Sequence, residues 1–196
     1  MNLIKKLSGL ILLGFISDLS ANDYVTIHAP TAETYACTEH WDGQFKHVGD
    51  ALGTDCVVQE FLKADGRMFM RSYKGNGYKN EDWYGYGKKV LAPCDCIVAD
   101  IQINKVTNEP GIMTPGRASS ITFKKSDETM ILIAHIDAPK VKVGDSVNAG
   151  DVVAKIGNNG YSRNPHLHIA AWKGEQPLQI RFDQRTVGIE TRREME

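Results

Sequence analysis

Apolar and polar residues alternate with a period of two along much of this chain, and that period predicts short strands. Residues 55–61 (DCVVQEF) and 67–73 (RMFMRSY) read as strands. Residues 90–93 lead through a turn into a longer strand over 96–101. Residues 120–124 and 129–135 read as a hairpin joined through 125–128. The unit 141–156 alternates strand residues with two turns, Val143-Gly144-Asp145 and Ala149-Gly150-Asp151, and a last strand runs through 167–172. Residues 25–35 form an extended lead-in with a turn at Pro30. The polar, Gly-rich stretches 39–54, 74–88 and 105–119 read as loops. Beyond the N-terminal segment there is no amphipathic helix period, and no internal repeat. Many short strands with regular turn signals predict an all-β fold, an antiparallel sandwich or barrel-like domain with long loops around a cleft.

The remaining composition narrows the setting. A chain of 196 residues suffices for one domain with its own core. A formal net charge of -1 carries no basic footprint, so no nucleic-acid partner is expected. Lys5-Lys6, the apolar run 7–16 and Leu19-Ser20-Ala21 read as a secretory signal with its cleavage site. The run is too short to span a bilayer comfortably, and no cysteine at the cleavage point offers a lipid anchor. The expected organisation is a signal over 1–21, one domain over 22–185 and a charged tail over 186–196. The expected product is a secreted or periplasmic monomer with no stable membrane span. In an oxidising compartment the four cysteines, Cys37, Cys56, Cys94 and Cys96, predict two disulfides. Cys94 and Cys96 flank one residue, a spacing that disfavours a bond between them. The expected links therefore run from this pair to Cys37 and Cys56, in an order the sequence leaves open. The spacing also lacks the two-residue gap of zinc ribbons.

The chemistry gathers on histidines. In His166-Leu167-His168 two imidazoles project from one strand face. Neutral imidazole binds a metal or handles a proton, although a bare His-x-His also fits two surface residues on an edge strand. His135 ends the apolar run 131–134, and His47 lies ahead of the strand that Asp55 opens. His28 and His40 have no partner in this pattern and read as ordinary surface residues. Two histidines and a carboxylate can make a catalytic zinc site with an open position for water. Spare histidines nearby can then serve as base or as oxyanion stabiliser.

Five segments occur in a specific order: Val90-Leu91-Ala92-Pro93, Ile133-Ala134-His135-Ile136, Val143-Gly144-Asp145-Ser146-Val147-Asn148-Ala149-Gly150, Gly157-Asn158-Asn159-Gly160 and Pro165-His166-Leu167-His168. Together they resemble the lysostaphin-type, LytM-like zinc endopeptidases, from Val90 to Trp172 and more loosely back to His47. The resemblance implies Zn2+ held by His47, Asp55 and His168, with His166 catalytic and His135 its partner. It also implies a substrate among the cross-links or stem peptides of bacterial peptidoglycan. Two departures matter. Seven residues separate His47 from Asp55 where the family commonly has three, and Asp50 competes as ligand. Asp55 is preferred because it opens an apolar strand, and strand-borne ligands are held rigidly. Cys96 also stands where the family has a small glycine. Residues 83–86 (WYGY) either wall a substrate groove or pack over the sheet. Two other classes of function stay open. Degenerate LytM-like domains, which usually lack metal ligands, bind or activate cell-wall hydrolases. This chain keeps a candidate for every ligand, which favours an enzyme, while the long insertion over 60–88 and the atypical first motif keep that alternative open. The unit 141–156 also resembles biotinyl and lipoyl carriers, but no modifiable lysine sits at a tight hairpin here.

Overall fold

A computed structural model describes residues 24–189. The expected signal segment and residues 190–196 of the tail lie outside the described residues. The strands in chain order are β1 (Tyr24–Ile27), β2 (Tyr35–Glu39), β3 (Thr54–Val58), β4 (Glu60–Ala64), β5 (Arg67–Arg71), β6 (Lys89–Leu91) and β7 (Cys96–Gln102). They continue with β8 (Ser120–Lys124), β9 (Met130–Ala134), β10 (Ile136–Asp137), β11 (Ser146–Val147), β12 (Val152–Ile156), β13 (Leu167–Lys173) and β14 (Gln176–Phe182). One turn of 3-10 helix, Asn80–Asp82, interrupts them. The domain is all-β, as the alternation predicts. Among the described residues no helix is long and apolar enough to cross a membrane.

Nine strands form the main sheet, in the order β1-β14-β13-β9-β8-β7-β11, with β3 also paired to β13 and β2 to β3. A second sheet, β10-β12-β6, faces the same core. Phe123, Ile131, Ile133 and Ile169 from the first sheet pack with Val90, Ile136, Val153 and Ile156 from the second. β13 occupies the centre. Its residues 168–172 pair with β9 on one edge. Its other edge is divided: Leu167–Ile169 pair with β3, and Ala171–Lys173 with β14. One pairing is parallel, β1 with β14.

The sequence pattern fails in three places. The strand expected over 55–61 ends as β3 at Val58, and the Gln59 N–H still donates to Thr34 O at 2.9 Å in the β2–β3 register. The chain then leaves the sheet as the hairpin β4–β5, turning at Asp65 and Gly66 with φ of 50° and 73°. Both positions need left-handed backbone, which Asp-Gly supplies readily. Phe61, Met68, Phe69 and Met70 on this hairpin are exposed, so its apolar residues do not report burial. β14 has no counterpart in the expected strands, because Pro177 and three polar residues break up its pattern.

The disulfides correct the expected pairing. Cys37 bonds to Cys56, and Cys94 to Cys96. Cys37 lies directly opposite Cys56 in the β2–β3 register, so each has its partner one strand away. The bends at 93–95 bring the Cα atoms of Cys94 and Cys96 to 5.4 Å, inside the range a disulfide requires. The loops closed differ greatly, with sequence separations of 19 and 2. Replacing Cys37 and Cys56 together by alanine is therefore expected to cost about 3 kcal/mol of unfolding free energy. The Cys94/Cys96 double variant should cost far less. Urea unfolding of both variants checks this, and an equal loss in the two would contradict the loop-length argument.

Candidate metal and catalytic site

Strand register builds the site. Directly paired residues share a face, and His168 on β13 lies opposite Asp55 on β3, which lies opposite Thr38 on β2. The β2–β3 pairing continues past the strand end, since the His40 N–H donates to Gly53 O at 2.8 Å. Alternation then carries His40 onto the face that holds Asp55 and His168. Gly53 makes this possible: a Cβ there would sit 2.6 Å from His168 Cε1.

The resulting contacts are close. His168 Nδ1 is 2.9 Å from Asp55 Oδ1, and His40 Nε2 is 3.4 Å from Asp55 Oδ2. One donor atom from each of His40, Asp55 and His168 falls within 4.8 Å of the others. Zinc with bonds of about 2.0–2.1 Å in tetrahedral array spaces its ligand atoms by about 3.3–3.4 Å, and prefers nitrogen and oxygen donors of this kind. The donor set therefore fits zinc. The far nitrogen of His168 is also held: Nε2 lies 3.2 Å from Gly49 O and 3.3 Å from Asp50 Oδ1. Such a partner places the proton on Nε2 and leaves Nδ1 free for a metal.

The two other histidines sit beside this group. His135 follows β9 with φ of 62°, a left-handed value uncommon outside glycine and typical of strained functional positions. That turn brings its ring to 4.5 Å from the His166 ring, centroid to centroid. His135 Nδ1 faces Asn159 O at 2.8 Å, and His166 Nδ1 faces Asn164 O at 2.8 Å. A carbonyl only accepts, so each Nδ1 carries the proton and each Nε2 presents a lone pair. His166 Nε2 lies 3.7 Å from Asp55 Oδ1. A polar cleft of about 290 Å³ is edged by Tyr86, Lys105, Asp137 and Asn159, and Asn159 connects it to His135 through the 2.8 Å contact at Nδ1. The larger cavity, about 550 Å³, lies on the other face of β3, where Thr54 lines it with Tyr35 and Phe182. It is remote from this chemistry.

Electrostatics divides the cluster in two. Burial works to raise the pKa of Asp55, but the His168 hydrogen bond and the charges of His166, His168 and His40 outweigh it and hold the carboxyl well below its usual range. The hydrogen bond from His168 is the main cause that lowers Asp50. For His168, burial opposes protonation, yet hydrogen bonds to Asp50 and Asp55 push its pKa up to about 9. His135 goes the other way, down to about 3, through burial first and then the charge of His166. Burial likewise lowers His166. One half of the cluster thus holds charge that a cation can replace. The other half offers two neutral bases.

Of the residues singled out from sequence, the structure brings together Asp55, His168, His166 and His135. His47 does not join them. Its side chain is 79% exposed, with Nδ1 3.8 Å from Asp50 Oδ2 and accepting the Gly49 N–H at 3.2 Å. His40, read as a surface residue, has a side chain only 9% exposed and stands 3.4 Å from Asp55 Oδ2. Asp50, weighed as a rival ligand, lies behind His168 instead. The aromatic segment divides: Tyr84 packs on the core, Gly85 approaches Val58, and Tyr86 edges the cleft.

The chain is similar to several known proteins. An uncharacterised metalloprotease of Haemophilus influenzae is 32% identical over 82 residues, which are 42% of this chain and 15% of that protein. The chain thus covers only a small part of that relative's length. Among solved structures, the catalytic domain of EnpA, a prophage-encoded M23 protein of Enterococcus faecalis, aligns at a TM-score of 0.48 with 19% identity, over 74% of this chain and 88% of its own. The catalytic domain of lysostaphin from Staphylococcus simulans aligns at 0.45 with 19% identity, over the same shares of 74% and 88%. Residues 81–180 match Peptidase family M23, a span that holds His135, His166 and His168 and begins after the β4–β5 excursion. With just over half of its length matched, this chain belongs to peptidase family M23.

Proposed function

We propose that the chain is an exported zinc endopeptidase that hydrolyses peptide bonds in bacterial peptidoglycan. The observation that carries this reading is the convergence of His40, Asp55 and His168 within 4.8 Å, with two neutral histidines alongside. The substrate class rests on membership of the family and on the resemblance of the ordered motifs. Export rests on the segment 1–21, and the two disulfides fit an oxidising compartment.

His40 Nε2, Asp55 and His168 Nδ1 would hold the ion. Zinc in such a site supplies a Lewis acid for the scissile carbonyl and depresses the pKa of water. His166 accepts the proton of the attacking water at Nε2 and returns it to the departing amine. Oxyanion stabilisation by His135 would require a proton on Nε2. With Nδ1 donating to Asn159 O the neutral ring has none, so His135 serves as a second acceptor that orders the water beside His166. The polar cleft between Tyr86 and Asn159 receives one flank of the peptide.

Zinc quantitation on the purified chain, with a chelator control and an assay on cell-wall sacculi, tests the reading. Less than stoichiometric zinc, or intact sacculi in the presence of bound zinc, overturns it. The ligand set has its own test. His40→Ala is expected to lose zinc, while His47→Ala keeps it. Asp50→Ala should retain one zinc with affinity weakened about 10–100-fold, as removal of a partner behind a ligand histidine does. Calorimetric titration of the three variants decides, and the opposite order for His40 and His47 assigns the ligand to His47.

A further inference from the structure

A run of buried side chains leads away from His166 in one direction. Ser162 Oγ lies 3.3 Å from His166 Nδ1 and donates to Asn158 Oδ1 at 2.8 Å. The other end of the same amide, Asn158 Nδ2, donates to Asn80 Oδ1 at 2.9 Å. Asn108 braces the run from the side. It takes the Asn80 Nδ2 proton on its carbonyl at 2.7 Å, and its own Nδ2 donates to Gly160 O and Ser162 O, each at 2.8 Å. Asn158 and Ser162 are both 1% exposed.

Four polar side chains in one buried cluster carry a desolvation cost that apolar packing would avoid. Their geometry has a use. The Ser162 hydroxyl has two acceptors in reach, Asn158 Oδ1 at 2.8 Å and Asn164 O at 2.9 Å. Asn164 O already takes the His166 Nδ1 proton at 2.8 Å, so donation to Asn158 leaves the Ser162 lone pairs facing the His166 Nδ1–H. That proton is then shared between Ser162 Oγ and Asn164 O, and Nε2 stays bare toward Asp55. Asn80 belongs to the 3-10 turn outside the sheets, at the end of the excursion that leaves at Gln59. Its side chain is the link between that excursion and the turn 157–160.

We propose that Asn80, Asn158 and Ser162 are positioning residues that fix the tautomer and orientation of His166, so that the excursion over 60–88 is part of the support of the site. The proposal rests on the reading of His166 as the proton-handling residue. It can be tested without turnover. Nitrogen-15 NMR of the imidazoles in the full chain, metal-free and zinc-loaded, is expected to find His166 protonated at Nδ1 with a slowly exchanging proton. In Ser162→Ala and in Asn80→Ala that proton should exchange at least tenfold faster. Ser162→Thr keeps the hydroxyl, so it should restore slow exchange. In the sacculus assay Ser162→Ala should lower kcat about tenfold with KM unchanged, the low end of what loss of a partner behind a site histidine causes.

His166 signals unchanged in both alanine variants overturn the proposal. So does equal acceleration in Ser162→Ala and Ser162→Thr. If amide dispersion reports that Asn80→Ala is unfolded, the Ser162 pair alone decides. A chain with no turnover whose His166 proton still responds as expected would refute the enzymatic reading and leave the positioning network standing.

Discussion

His168→Ala is expected to abolish stoichiometric zinc binding. Among the described residues His168 makes the closest contact with Asp55, at 2.9 Å, and it sits on the central strand of the main sheet. Its loss removes one of three donors and also the group that holds Asp50 and Gly49 O in place. The adjacent strand positions Leu167 and Ile169 face the core, and the His166 Nε2 lone pair stands farther from Asp55 Oδ1, at 3.7 Å against 2.9 Å for His168 Nδ1. Asp55→Ala should behave alike, because it deletes the carboxylate shared between His40 and His168. Elemental analysis of both variants checks the assignment. One zinc per chain in His168→Ala would place the metal elsewhere.

The second large effect separates chemistry from metal. His166→Ala and His135→Ala should each keep one zinc yet lower turnover by about 10²-fold or more, the usual consequence of removing a positioned acid or base. Both rings already have a carbonyl on Nδ1, both are held neutral by burial, and His166 presents Nε2 toward Asp55 at 3.7 Å. Neither is among the three groups that converge on one point. The assay is turnover on sacculi beside zinc content of the same preparations. Loss of zinc in either variant would move that histidine into the ligand set, and wild-type turnover would remove it from the mechanism.

How far the sequence reveals this site depends on where each residue sits. His166 and His168 are legible because strand alternation fixes their common face without knowledge of any partner. Asp55 is legible because it opens an apolar run. His40 is not, because the stretch 39–54 is polar and reads as a loop. Only the register that sets Thr38 against Asp55 and His40 against Gly53 reveals that β2 extends its alternation to His40. The same blindness to register explains the cysteines: local spacing argues against a Cys94–Cys96 bond, and nothing local reveals that Cys37 faces Cys56. Asp65-Gly66 does carry a hairpin signal in the sequence. The exposure of that hairpin does not, since its apolar runs Phe61-Leu62 and Met68-Phe69-Met70 look like those of buried strands. The role of Gly53 is equally hidden, because a glycine that makes room for a ring declares itself only once the ring is in place.

The divided edge of β13 has a consequence for the order in which the site comes apart. Amides bonded on both edges of a central strand exchange with solvent only when the whole domain opens, whereas polar connecting segments open at a small fraction of that free energy. His168 lies in the first class, fixed between β3 and β9. His40 lies at the mouth of the second, held by its pairing to Gly53 and by a ring contact with Phe45. The ligand set thus joins a slow half to a fast half. An ion held there would be captured on the preformed Asp55–His168 pair and released through the opening of residues 40–53, so its residence time would be governed by a local fluctuation and not by the lifetime of the fold.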